Sequence, residues 1–213
     1  FAFSYDEEVG CLSAPELARA IRTGYKETPK YAIIGEPSLM EPIVGQKGIY
    51  ILETYVNGSA GHSSRIKQEV SAIHEAMRLI LWLENKMDQL IADNRLDDRF
   101  HPPHSSIHVG KVSGGIAPNV IADKAHFYWD LRTIPKDDIE SIVSEFEAYC
   151  RKREKELRSI YPDFTIKTIE NHPPVPHLDT KADDDVVKLI KRLSGNSKLD
   201  TVSFAAEAGQ FAN

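Results

Sequence analysis

The acidic residues give the first chemical signal. Asp6-Glu7-Glu8 follows the apolar run Phe1-Ala-Phe-Ser-Tyr5, and Glu36-Pro37 follows a second apolar run, Lys30-Tyr-Ala-Ile-Ile-Gly35. If both runs are strands of one parallel sheet, both acidic motifs leave the carboxyl ends of strands, where open α/β sheets bind ligands. Three or four carboxylates in one crevice repel. They either raise one another's pKa or hold a cation, and a divalent metal is the usual solution. In isolation, Asp-Glu-Glu after a strand reads as a solvated turn or a helix N-terminus. Other tempting residues carry less. His101, His104 and His108 have metal-like spacing but lie in a proline-containing polar segment, which reads as a solvated connection, and His172 and His177 read the same way. Cys11 and Cys150 have no base nearby in sequence and read as buried or inert thiols.

The elements that must position these residues follow from pattern. Phe1–Tyr5 and Lys30–Gly35 read as buried strands. Between them Ser13-Ala-Pro-Glu16 reads as a capping box opening a helix that runs to Gly24, so residues 1–36 form an expected βαβ unit. From Gly48 the pattern changes. Residues 49–56 alternate, and Val70, Ile73, Met77, Ile80, Leu83, Met87 and Leu90 then recur at helical steps. Two strands follow, over 106–112 and 125–132; in the second, Phe127, Trp129 and Leu131 share one face and His126, Tyr128, Asp130 and Arg132 the other. Asp137 and Glu140 read as a second capping box before the stripe Ile139, Ile142, Phe146 and Tyr149, and a strand over 164–169 completes the set. The order βαββαβ is the ferredoxin-like split unit, with two helices on one face of a four-stranded antiparallel sheet. A proline-rich connection (171–177), a helix (184–193) and a last strand (201–204) end the chain. The expected division is an interrupted α/β domain, residues 1–46 and 173–213, around an inserted domain over 47–172.

Composition bounds the function classes. The 213 residues are 41% hydrophobic and 27% charged, with a net charge of −6, as in an ordinary globular protein. No apolar run approaches the ~18 residues of a membrane helix, so no membrane partner is expected. The acidic balance without a clustered Lys/Arg face argues against nucleic acid. Two cysteines are too few for a disulfide framework, so a reducing, cytoplasmic compartment is expected. The chain opens on a strand-like Phe1, which reads as the interior of a longer protein.

Four motifs occur in one order: Ser4-Tyr-Asp-Glu-Glu-Val-Gly10; Gly35-Glu-Pro-Ser38 with Gln46-Lys-Gly48; Gly58-Ser-Ala-Gly-His-Ser-Ser64; and Gly114-Gly-Ile-Ala-Pro-Asn-Val-Ile121 leading to Asp130-Leu-Arg132. Together they resemble the di-zinc amidohydrolases related to aminoacylase and carboxypeptidase G, over nearly the whole chain. The resemblance implies a partial zinc-peptidase-like catalytic domain carrying an inserted ferredoxin-like lid that dimerises. It implies Glu7 as general base, Glu8 and Glu36 as ligands to one zinc each, and His62 as a lid histidine reaching the partner subunit's active site. Asn119 and Arg132 become substrate contacts, with Arg132 suited to gripping an α-carboxylate. Glu207 matches the family's substrate-side glycine and acid loop only loosely, since Ala205-Ala206 stands where the family more often has Gly-Thr. The implied cofactor is zinc, two ions per subunit, with cobalt as an alternative. The implied substrate is a small N-acylated amino acid that loses its acetyl group. Sister enzymes that remove succinyl groups or act as carboxypeptidases remain open, as does a noncatalytic dimerisation module. Of the family's five metal-binding groups only the two glutamates are present, so these residues alone are expected to be inactive and not fully metal-loaded.

Overall fold

The computed structural model describes residues 1–27 and 29–212. Along the chain run α1 (Ala14–Gly24), β1 (Ile43–Gln46), β2 (Gly48–Asn57), β3 (Gly61–His62), α2 (Ala72–Ala92), β4 (Ser106–Gly114), β5 (Val120–Ile121), β6 (Lys124–Thr133), α3 (Ile139–Leu157), β7 (Thr165–Val175), β8 (Leu178–Asp179), α4 (Asp185–Ser194), β9 (Asp200–Val202) and α5 (Ala208–Ala212). Strands β4-β6-β2-β7 form an antiparallel sheet in that order, with α2 and α3 packed on it. This is the ferredoxin-like unit expected from the pattern. Period-two alternation is realised in β6, where Phe127, Trp129 and Leu131 are buried against the helices. Burying such side chains stabilises the domain by roughly 1.5–3 kcal/mol each. The Trp129 indole N–H donates to Thr54 Oγ1 at 3.1 Å, so its one polar atom is satisfied inside the core.

The helices are pinned to each other by charge as well as by apolar contact. Glu75 on α2, 2% exposed, accepts from Arg153 on α3 through Nε at 2.5 Å and Nη2 at 2.9 Å, and Lys86 pairs with Glu145 at 2.7 Å. The expected α2 stripe is rotated slightly. Ala72, Ala76, Leu79, Leu83 and Leu90 form its buried face, Ile73, Ile80 and Met87 are partly buried, and Met77 is 43% exposed. The α3 cap shifts by one residue: Asp138 accepts from Glu140 N at 3.3 Å, while the buried Asp137 pairs with Arg95 and Ser105. Just after β2, Gly58 lies so close to Val70 that a Cβ would stand 2.1 Å from the Val70 carbonyl oxygen, so only glycine fits.

The flanking segments meet in a second sheet, β8-β1-β9, with β1 antiparallel to β8 and parallel to β9. The expected βαβ unit over 1–36 does not form. Neither 1–5 nor 30–36 is a strand, and Phe1, Phe3, Tyr5 and Ile33 are exposed. A strand exists only through a hydrogen-bonded neighbour, and among the described residues none pairs with these runs. The Ser13 hydroxyl, expected to cap α1, donates instead to Asp6 Oδ1 at 2.5 Å. The 101–104 segment is not simply solvated: its Pro102 and His104 carbonyls accept from the buried Lys47 Nζ at 2.9 and 2.7 Å. His172 lies within β7 rather than in a loop. No helix among the described residues is long and apolar enough to cross a membrane.

Candidate functional site

The acidic loop is shaped by Asp6. Its carboxylate accepts from Ser13 N at 2.9 Å and from the Ser13 hydroxyl, folding residues 7–9 into a short 3-10 turn that Gly10 closes with a φ of 112°. That geometry requires glycine twice over. The φ is left-handed, and a Cβ at Gly10 would stand 1.6 Å from His172 Nε2. His172 Nε2 is itself buried without a hydrogen-bond partner. The turn leaves Glu7 half-buried and Glu8 exposed. The Cys11 thiol donates toward Glu7 Oε1 at 3.7 Å. Burial first, then the charges of Glu7 and Glu207, push this thiol up to about 12.

Glu36 reports the same crowding from the other side. Burial, then the nearby charges of Glu7, Glu207 and Glu8, hold its carboxyl above the usual range. Glu7, Glu8 and Glu36 are therefore brought within electrostatic reach of one another, and a fourth carboxylate, Glu207, joins them. Glu207 is 7% exposed, and its Oε1 has no hydrogen-bond partner among the described residues. In the sequence it matches the resembled family's substrate-side loop only loosely. The available signal was an acid directly after the small, buried Ala206 in a segment that must pack.

The lid residues stand in two places. His62 ends β3, which pairs with β5 so that His62 lies opposite Val120, and Ser63 N donates to the Asn119 carbonyl at 3.0 Å. His62 and Asn119 are thus neighbours, both exposed. His62 also caps the following turn, its Nδ1 lying 2.9 Å from Ser64 Oγ and accepting from Ser64 N at 3.3 Å. Arg132 is elsewhere, on the helix-free face of the sheet, lining a shallow depression with Ile49, Ile51, Lys111 and Tyr128. Its Nε donates to Asp130 Oδ2 at 3.1 Å.

Carboxylates that crowd one another have the donor chemistry a divalent cation requires. Only two of them, Glu8 and Glu36, are implied as ligands, short of a closed zinc site of about four. Among the described residues, no group of three or more His, Cys, Asp or Glu is arranged to hold a metal.

A split βαββαβ unit inserted between two segments that share a sheet defines a lid-bearing α/β protein. Residues 44–158 match the family described as the peptidase dimerisation domain, and the chain belongs to the M20 peptidase family. Among curated relatives, the chain is 34% identical over 207 residues to a protein of Myxococcus xanthus named acetylornithine deacetylase, covering 96% of this chain and 51% of that protein. It is 27% identical to the protein of the same name from Aliivibrio salmonicida (strain LFI1238), covering 95% and 51%. The chain spans about half the length of the curated relatives it matches. Among solved structures, the aminopeptidase PepT of Bacillus cereus ATCC 10987 superposes with a TM-score of 0.71 at 18% identity, covering 98% of this chain and 52% of that one. That likeness concerns the fold.

Proposed function

We propose that the protein to which this chain belongs is a zinc-dependent amidohydrolase that removes the acetyl group from N-acetyl-L-ornithine, a step of arginine biosynthesis in the cytoplasm. The observation that carries this reading is the convergence of Glu7, Glu8 and Glu36, with Glu36 held above its usual range by burial first and then by the charges of Glu7, Glu207 and Glu8. The names of the curated relatives support the substrate.

In this reading Glu8 and Glu36 each hold one zinc. The metal, when bound, makes water acidic and polarises the amide carbonyl. The rest falls to the chain. Glu7 takes the proton from the attacking water and returns it to the departing amine, a role worth roughly 10²- to 10⁴-fold in rate. It is half-buried, and its Oε1 accepts from the Cys11 thiol at 3.7 Å. His62 donates to the oxyanion in the partner subunit's site, and Asn119, its neighbour at the β3–β5 ribbon, contacts the same substrate. Arg132 grips the α-carboxylate once its Nε exchanges Asp130 for the ligand.

The dimer joins two lids at the β4 edge. Val112 on that edge strand and Met77 and Leu81 on α2 are exposed apolar residues on the helix side of the sheet, the kind of surface a second copy would cover. The family description supports that occupant.

The test is hydrolysis by the full-length protein of N-acetylornithine beside N-succinyl-diaminopimelate. Release of acetate at the higher kcat/KM supports the reading. A preference for the succinyl substrate moves the assignment to a sister enzyme, and no hydrolysis of either removes it.

A further inference from the structure

His172 owes its place to two interruptions of its own strand. From Asn57 opposite Thr165 to Leu52 opposite Glu170, the β2–β7 ladder keeps one register. An extra residue then enters β7 on either side of His172, which stands opposite Ile51 instead of Tyr50. Bulges of this kind re-aim side chains, and a slip of one residue moves a side chain to the other face of a sheet. Leu52 and Val56 belong to the core under the helices, whereas Ile51 lines the helix-free face beside Arg132. His172 is thereby turned away from the helices.

What it meets is the acidic loop. A Cβ on Gly10 would stand 1.6 Å from His172 Nε2, 2.4 Å from Cδ2 and 2.6 Å from Cε1, so the end of the imidazole presses on the Gly10 backbone. The direction of the ring is fixed by Nδ1, 2.6 Å from the Pro173 carbonyl. A carbonyl only accepts, so Nδ1 carries the proton. Nε2 is buried with no hydrogen-bond partner among the described residues. An unpaired buried polar atom costs about 1–3 kcal/mol, so hydrogen bonding at Nε2 is not what keeps the ring there. Its contact with Gly10 is the remaining role.

The loop is held from its other side as well. Asp6 is tied to Ser13 at the start of α1. Cys11 and Ala14, just past the turn, pack with Val175, and Ile49 packs against them. The loop therefore rests on the root of the lid, where β2 begins and β7 ends. Glu7 stands between Asp6, tied to α1, and Gly10, stopped by a ring of the lid.

We propose that His172 is a positioning residue that sets the place of Glu7 by stopping the acidic loop at Gly10. This rests on the amidohydrolase reading above and deepens it, since the lid of the same subunit then helps to place the base.

The test is steady-state hydrolysis of N-acetylornithine by full-length wild type, His172→Asn, His172→Gln, Gly10→Ala, and Gly10→Ala combined with His172→Asn. Zinc content and thermal midpoint are measured on each. Asparagine keeps a donor where Nδ1 stands but falls short of Gly10, whereas glutamine puts an atom where Nε2 stands. The expected result for His172→Asn is a kcat lower by about 10- to 100-fold, the range for a reacting group misplaced by about 1 Å. KM and zinc stay unchanged, and His172→Gln recovers most of the loss. Gly10→Ala loses kcat too, and adding His172→Asn to it raises kcat, because the ring that the new methyl strikes is gone. Full activity in His172→Asn, equal loss in His172→Gln, or additive losses in the combined variant overturn the proposal. So do zinc loss in parallel with kcat and a His172→Asn protein unfolded at the assay temperature. All of these leave the amidohydrolase reading standing, because wild type still releases acetate. A wild type that releases none removes that reading and this role with it.

Discussion

The side-chain amide of Gln46 donates to the backbone carbonyl of Ala206 at 2.8 Å across 160 positions of sequence. This bond fastens the last segment of the chain to the strand that enters the lid and sets the place of Glu207. A Gln46→Leu change leaves the buried Ala206 carbonyl and the half-buried Pro176 carbonyl without that donor. A cost of about 2 kcal/mol is expected for unsatisfied buried polar groups, seen as a lower thermal midpoint. An unchanged midpoint would show that the contact holds nothing.

The α2–α3 pair depends on Glu75 and Arg153. Because Glu75 is 2% exposed, Arg153→Ala leaves this buried carboxylate only its longer contact with Arg78, at 3.5 Å. The expected loss is about 3 kcal/mol, and the double change Glu75→Leu with Arg153→Met recovers most of it. Urea unfolding of the three variants measures this. Equal destabilisation in the single and double variants would contradict the account.

Both thiols are buried, and burial holds each up to about 12. Native protein at pH 8 is therefore expected to leave a thiol reagent unreacted, and denatured protein to react at both cysteines. Stability carries the same signature. A thiol whose folded pKa lies above its unfolded value of about 9 keeps its proton in the fold, so its contribution is complete below pH 9 and is lost as pH rises toward 12. The difference between wild type and Cys150→Ala, followed by thermal unfolding from pH 8 to 10.5, should shrink with rising pH. A constant difference would rule the burial effect out.

At the lid edge, Leu81→Glu places a charge on a surface proposed to meet a second copy, where Leu81 is 53% exposed. Light scattering of the full-length protein is expected to find a dimer for wild type and a monomer for the variant, with the melting temperature little changed. A dimeric variant would move the interface elsewhere.

The lid was legible because each of its elements carries its own period. The alternation of β6 and the long stripe of α2 are local consequences of burying one face, and they specify the split βαββαβ unit. The flanks were not legible in the same way. Phe1–Tyr5 and Lys30–Gly35 have strand composition, yet a strand needs a neighbour, and composition does not reveal whether one is within reach. Capping failed for a related reason. Ser13 and Asp137 have the right types at the right spacing, but Asp6, in the preceding loop, and Arg95, 42 positions away, compete for them. The carboxylate group shows both sides. Glu7, Glu8 and Glu36 announce themselves as acids after apolar runs, whereas Glu207, a loose match by motif, joins them through the packing of the last segment.

The central claim is that Glu7 works as the base of an acetyl-removing site built with Glu8 and Glu36. The most direct measurement is acetate release from N-acetylornithine by full-length wild type and Glu7→Gln, with zinc counted in the same samples. The account predicts equal zinc in both and turnover reduced by about 10²- to 10⁴-fold in the variant. Substantial activity in Glu7→Gln, with zinc retained, would contradict it.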